Sequence, residues 1–252
     1  MSLINKLSYW FNCHRINKAL KNQQPVAVIS DVLGNRGALE AVLADIETRN
    51  PAVIVNLGNL VGGKESTECI EMAMERKIIS VRGNYDISAA RAKLERASGW
   101  DDVELNNRQV SYLRDLQAVY NVGYAYFTHA TPLRRELLAL PNGTDKHYPT
   151  ISLHPAQNTN FAQAVEGAFE RADADIIFVG HTCIPAIIIK DGQIFDANVF
   201  SNPYADNERF IANPGSVGEL KDFRSDRMSG LASYAMLHQR KVSFHTVTYQ
   251  QG

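Results

Sequence analysis

Five polar residues of the kinds that ligate cations recur along this 252-residue chain in one local setting. Asp31, Asn59, Asn84, His129 and His181 each stand at the end of a short apolar run: Val26 to Ile29, Val53 to Leu57, Ile78 to Val81, Tyr124 to Thr128 and Ile176 to Val179. Runs this short, rich in β-branched and aromatic residues, read as buried strands. In an open α/β sheet the helices cover the faces, so ligands approach at the carboxyl ends of the strands. Carboxylate, amide and imidazole groups gathered there could hold a divalent cation.

The intervening segments must position those ends. Ala38, Leu39, Val42, Leu43 and Ile46 form a helical stripe that ends near Asn50-Pro51, and Ser66 to Lys77 reads as a second helix. Strand, helix, strand, helix, strand implies a parallel sheet with right-handed crossovers. A polar helical region runs from Ile87 to about Gln117, and a helix over Phe161 to Arg171 precedes the fifth strand. Hairpins follow: Ile187-Ile188-Ile189 with Gln193 to Phe195 about Asp191-Gly192, then Leu231 to Leu237 with Val242 to Val247. The polar stretch Asn142 to Asn160 reads as a long loop of the sort that carries function. Ahead of all this, Leu3, Leu7, Trp10, Phe11 and Leu20 recur at roughly helical spacing, with Lys6, Arg15, Lys18 and Lys21 between them. An amphipathic helix is expected there, docked on its own domain or serving as an arm for a membrane surface or a partner. The division expected is a helical extension over 1–24 and a single domain over 25–252, in which a second sheet packs on the first.

A net charge of −1 provides no electrostatic pull toward nucleic acid or an anionic membrane, since those partners call for a clustered basic surface. Cys13, Cys69 and Cys183 are odd in number and far apart, which speaks against a disulfide framework and for a reducing cytoplasm. No apolar run is long enough to span a bilayer, and Asn5, Lys6, Ser8 and Asn12 interrupt any signal-peptide core. Ser-His-Asp, dinucleotide-glycine and paired CxxC patterns are all missing, so acyl hydrolase, dehydrogenase and zinc-finger classes lack support. Gly58-Asn59-Leu60-Val61-Gly62-Gly63-Lys64 matches a phosphate-binding P-loop until Glu65 takes the place of the Mg²⁺-binding hydroxyl. A carboxylate there opposes bound phosphate, so a P-loop NTPase reading is disfavoured.

As an ordered set, Ser30-Asp31-Val32-Leu33-Gly34-Asn35, Leu57-Gly58-Asn59-Leu60-Val61-Gly62, Arg82-Gly83-Asn84-Tyr85-Asp86, Thr128-His129-Ala130-Thr131-Pro132, Val179-Gly180-His181-Thr182-Cys183-Ile184-Pro185 and Asn213-Pro214-Gly215-Ser216-Val217-Gly218 resemble the motifs of the calcineurin-like metallophosphoesterases, in their bacterial and archaeal single-domain phosphodiesterase branch. The resemblance implies an α/β fold, a four-layer αββα sandwich of two mixed β-sheets. It also implies two divalent metals joined by a bridging carboxylate, with a histidine beside the leaving group. Four positions depart from that pattern: Leu33 replaces a His, Asn59 the bridging Asp, Tyr85 the catalytic His, and Cys183 the final His.

By the resemblance, the first metal would meet Asp31, Leu33, Asn59 and Cys183, a set with one alkane in it. The second would meet Asn59, Asn84, His129 and His181, with three donors intact. Two dications about 3.5–4 Å apart need an anionic bridge, and Asn59 brings no charge. The catalytic candidates by position are Tyr85 and Asp86. Replacing a histidine by Tyr85 removes a group that titrates near neutrality, and loss of positioned acid–base help costs about 10²–10⁴ in rate. The expected protein is a metal-dependent phosphatase or phosphodiesterase scaffold with a degraded dinuclear site, weakly active or inactive, that binds a phosphate-bearing small molecule or another protein. Its cofactor would be one divalent ion (Mn, Fe or Zn) at reduced affinity, or none. The alternative is an active enzyme with a rebuilt mononuclear site on Asp31, Cys183, His129 and His181.

Plainer roles fit each residue. Asp31 and Asp86 suit capping of loop amides, Asn84 a left-handed turn, and the two histidines a satisfied core. Cys183 suits a small buried hydrophobe, and Tyr85 a filler of the vacated cleft.

Overall fold

The computed structural model describes residues 3–130, 132, 161–190, 192–197, 209–222 and 226–250, the side chains of 3, 4 and 161–164 excepted. The expected loop Asn142 to Asn160 lies outside the described residues. In chain order the elements are α1 (Leu3–Lys21), β1 (Val26–Ile29), α2 (Arg36–Glu47), β2 (Val53–Asn56), α3 (Ser66–Glu75), β3 (Ile79–Ser80), α4 (Asn84–Glu95), α5 (Asn107–Asp115), β4 (Val119–Val122), β5 (Ala125–Thr128), α6 (Phe161–Ala172), β6 (Ile176–Phe178), β7 (Pro185–Ile189), β8 (Ile194–Asp196), β9 (Phe210–Pro214), β10 (Leu231–His238) and β11 (Lys241–Thr248).

One sheet has the order β11-β10-β1-β2-β3, and the other β4-β5-β6-β9-β7-β8. Strands β1, β2 and β3 run parallel, as do β5, β6 and β9, with antiparallel strands completing each sheet. The resulting α/β sandwich of two mixed sheets flanked by helices is the expected fold. Its layering follows from the two-residue period of a strand. Val26 and Val28 of β1 point into the core between the sheets, with Val55, Phe127, Phe178 and Leu237. Ala27 and Ile29 point the other way, onto Leu39, Val42, Leu43 and Ile46 of α2. Burial on both faces is why this strand is apolar at every position. On the far side, Val165 and Phe169 of α6 pack on Tyr126, Ile177, Ile188 and Ile211.

Helix α2 starts where Asn35 accepts a hydrogen bond from the Ala38 amide, and α5 starts with a reciprocal box between Asn106 and Gln109. Two strands are additional to those expected from sequence, β4 and β9. Each is short, and Arg209 before β9 with Asn213 and Pro214 at its end masked its apolar run. It is nevertheless central, inserted between β6 and β7.

Helix α1 differs from its expected orientation. Tyr9 stacks on Tyr120, Asn12 donates to the Tyr120 hydroxyl, Arg15 donates to the Lys77 carbonyl, and Ile16, Ala19 and Leu20 are buried. Of the stripe read from sequence, only Leu20 faces the protein, whereas Leu7, Trp10 and Phe11 face solvent. Two apolar rows lie on opposite sides of this helix, and spacing alone ranks them equally. The side chain of Leu3 is outside the described set.

Candidate metal centre

Parallel neighbours end on the same side, so the turns after β1 and β2 meet, as do those after β5 and β6. The Asp31 amide donates to the Gly58 carbonyl at 3.0 Å, and the Gly180 amide to the His129 carbonyl at 2.9 Å. The two sheets are tied together at this rim, where the His181 amide donates to Asp31 Oδ2 at 2.7 Å. The loop after β9 closes the rim: Val217 and Gly218 amides donate to the Ser30 and Asp31 carbonyls at 2.9 Å each, and Ser216 Oγ donates to the Asp31 carbonyl at 2.8 Å.

The backbone here is strained in the way of functional sites. Asp31, Leu33, Asn59, His181 and Cys183 have φ of 51°, 54°, 58°, 71° and 62°. Aspartate and asparagine tolerate the left-handed region, but leucine, histidine and cysteine adopt it at a cost of about 1–3 kcal/mol each. The close passage of neighbouring chain holds them there. A Cβ on Gly83 would stand 2.1 Å from Asn59 Oδ1 and 2.4 Å from its amide nitrogen, so that position admits only hydrogen.

Three lone-pair atoms meet at one point. His129 Nε2 lies 3.0 Å from Asn84 Oδ1 and 3.1 Å from His181 Nδ1, and the last two are 3.1 Å apart. His129 Nδ1 sits 3.0 Å from the Leu57 carbonyl and must carry its ring proton to donate there, which leaves Nε2 bare. Burial lowers the pKa of His129 to about 4, against the opposing pull of Asp31, and lowers that of His181 in the same way. Both imidazoles are therefore neutral at neutral pH, the form that ligates metals. Within the trio at most one hydrogen, on His181 Nδ1, can relieve the crowding of acceptors, and from outside it Asn59 Nδ2 makes a long donation to Asn84 Oδ1 at 3.4 Å. Donors about 3 Å apart are what a small divalent ion with bonds of about 2.0–2.2 Å gathers, so this trio fits such an ion.

The neighbouring half of the site is differently engaged. Asp31 accepts from Ser30 Oγ at 2.6 Å, from the His181 amide, and at Oδ1 from Asn59 Nδ2 at 3.0 Å. Asn59 spends its other end accepting from the Tyr85 amide at 3.0 Å. Leu33 contributes no donor, and Cys183 Sγ has the His181 carbonyl at 3.9 Å as a partner, its thiol pushed well above the ordinary range by burial. Among the described residues no three His, Cys, Asp or Glu side chains converge, so the alternative set of Asp31, Cys183, His129 and His181 is not assembled.

Two further expectations change. Asp86, a catalytic candidate from sequence, is fully buried and accepts from the Asn59 and Gly83 amides at 2.8 Å each and from Val61 at 3.2 Å. Burial raises its carboxyl to about 6 although these amides pull the other way. It is a positioning residue that holds the second and third loops in register and caps α4. Tyr85, the other candidate, is 42% exposed and packs edge-on against Trp100, 5.5 Å between centroids, so it does not fill a cleft. The P-loop resemblance also dissolves: the Asn59 and Val61 amides are bound to Asp86 and the Gly62 amide to Ser66 Oγ, which leaves no cradle for phosphate.

Ser30, Asn213 and Ser216 stand within the motifs quoted from sequence but were assigned no role there. Asn213 Nδ2 donates to the Gly180 carbonyl and Thr182 Oγ1, at 3.0 and 2.9 Å, and shapes the turn that presents His181. Small polar residues flanking apolar runs were the available sign, but such residues are too common to stand out.

A family model described as calcineurin-like phosphoesterase matches residues 24–185. Among solved structures, a metallophosphoesterase from Sphaerobacter thermophilus is 28% identical, covers 90% of this chain and 89% of its own, and superposes with a TM-score of 0.68. A putative diadenosine tetraphosphatase, 16% identical with a TM-score of 0.54 over 91% of this chain and 96% of its own, shares the fold. An uncharacterized protein of Methanocaldococcus jannaschii is 27% identical over 212 residues, 78% of this chain and 77% of that protein. With the model spanning more than half of its length, this chain belongs to the calcineurin-like phosphoesterases.

Proposed function

We propose that this metallophosphoesterase holds a single divalent ion on Asn84, His129 and His181, binds a phosphate-bearing small molecule beside it, and hydrolyses phosphoesters slowly or not at all. The observation that carries this reading is the contrast between the two halves of the site. One half presents three lone pairs to a common point, while in the other Asn59 donates to the very carboxylate oxygen that a second ion would need.

A divalent ion on the trio would act as a Lewis acid toward a phosphoryl oxygen. The chain's own groups do the rest. His129 is oriented by the Leu57 carbonyl and His181 by Asn213 through the turn that precedes it, so both rings are held before any ligand arrives. The Tyr85 ring leans on Trp100 at the surface, where the resemblance expects an imidazole to protonate the leaving group. Without that group and without an anionic bridge, the losses fall on one step and need not add.

The test is elemental analysis of protein purified without chelator, then titration with Mn²⁺ and Zn²⁺ while hydrolysis of a bis-aryl phosphodiester is followed. One ion per chain, lost in His129→Ala/His181→Ala, with turnover close to that control, is the expected result. Two ions per chain with clear turnover, or none at all, would overturn the reading.

A further inference from the structure

From the outward face of α1 we infer that this protein docks on an anionic lipid surface. The helix has two faces. Tyr9, Cys13, Ile16 and Leu20, at i, i+4, i+7 and i+11, lie against the protein. Leu7, Trp10, Phe11, His14, Lys18 and Lys21, at i, i+3, i+4, i+7, i+11 and i+14, form the opposite face, and all are exposed.

That outward face is graded along its length. Leu7 is 61%, Trp10 67% and Phe11 56% exposed, three large apolar side chains together in the first half. The second half carries Lys18 and Lys21, Lys6 flanks the apolar group, and the Trp10 ring stacks on His14 with centroids 5.6 Å apart. No aspartate or glutamate occurs before Asp31. The acidic group that α1 does meet, Asp115, is taken by Asn5 on the docked side. The face is therefore apolar and cationic, and among the described residues no carboxylate pairs with its lysines.

The partner's chemistry follows from shape and charge. Leu7, Trp10 and Phe11 project from a helix as separate knobs. A protein partner would need a matching groove for them, whereas acyl chains accommodate knobs of any outline. Tryptophan and lysine on one face suit the headgroup boundary, with the indole at the apolar edge and the ammonium groups among the lipid phosphates. A second copy packed antiparallel along the full length of this face would set its lysines on the partner's apolar knobs. The inference is independent of the metal centre, since none of these residues belongs to it.

The test is co-sedimentation of the full chain with vesicles of phosphatidylcholine alone and of phosphatidylcholine mixed with phosphatidylglycerol. Binding is expected to the mixed vesicles, to weaken as salt is raised, and to fall roughly fivefold for each of Lys18→Gln and Lys21→Gln. The combined Leu7→Ser, Trp10→Ser and Phe11→Ser variant should lose roughly tenfold or more while its thermal melt is unchanged, because all three side chains are exposed. Failure to sediment with the mixed vesicles, or equal sedimentation of the triple variant, overturns the proposal. So does a lipid-free dimer, seen by light scattering, that the triple variant abolishes, because the face would then belong to a second copy.

Discussion

Replacing Asn59 by aspartate puts the proposed division of the site to its most direct test. The substitution is nearly isosteric, and aspartate suits the left-handed backbone at φ 58° about as well as asparagine. Its Oδ1 still accepts from the Tyr85 amide, but the amide donor to Asp31 becomes a second carboxylate oxygen 3.0 Å from Asp31 Oδ1. Two unit charges at that distance repel by about 5 kcal/mol at an effective dielectric of 20, and one carboxyl escapes most of this by keeping its proton. Holding that proton at neutral pH on a carboxyl whose ordinary pKa is about 3.9 costs about 4 kcal/mol, so the variant should be about 3–5 kcal/mol less stable than wild type in chelator, a melting point lower by roughly 6–20 °C. Manganese should recover much of that loss. A carboxylate bridge creates the second subsite, and an ion at a hundredfold excess over its Kd returns about 2.7 kcal/mol. Calorimetry with and without Mn²⁺, paired with metal counting, gives the readout. If Asn59→Asp melts with wild type in chelator, or if wild type already binds two ions, then the Asp31–Asn59 pair does not close the second subsite and the reasoning fails.

Other perturbations probe the scaffold around it. Asp86→Asn turns one accepting oxygen into an NH₂ group that faces a backbone donor, and should cost about 1–3 kcal/mol by denaturant melt together with weaker metal affinity; an unchanged melt would remove Asp86 from its positioning role. Gly83→Ala drives a methyl into Asn59, so a loss of about 1–3 kcal/mol and a displaced Asn84 are expected, the latter seen as weaker Zn²⁺ binding by titration calorimetry. His129 takes a proton near 6.5 when unfolded and near 4 when folded, so between these values the unfolded chain binds more protons and stability falls as pH is lowered, by up to about 3 kcal/mol. His129→Asn, which can still donate to the Leu57 carbonyl, should flatten that fall in chelator; subtracting its pH–stability curve from that of wild type cancels the opposite trend from Asp86, and parallel curves would contradict the assignment.

The strands that carry the site were legible because burial on both faces forces uninterrupted apolar runs, and β1, β2, β5 and β6 appeared as expected. Strand β9 was not, since a strand of five residues ending in Pro214 between polar flanks has no periodicity to distinguish it from a loop. The motif order pointed to the family, and the positions of Asp31, Asn59, Asn84, His129 and His181 at strand ends pointed to a shared rim. Which of them face one another was beyond reach. Asp31 and Asn59 look like ligands by type, yet each is consumed by the other. Asp86 looks like an acid beside a site, yet it is a buried acceptor for three loop amides.

The same division holds for α1. Spacing determines that the segment is a helix with apolar side chains recurring along it, because the period of a helix is a local property of the chain. It cannot determine which of two opposite apolar rows docks, because that depends on Tyr120 and Lys77, which lie 108 and 62 residues along the chain from the helix residues they meet. Residue types and their order thus determined the family, the strands and the candidate ligands. Tertiary structure alone decided that Asn84, His129 and His181 share a point, that Asn59 closes on Asp31, and that Leu7, Trp10 and Phe11 meet solvent, because hydrogen-bond partners and buried faces are set by contacts between residues far apart in sequence.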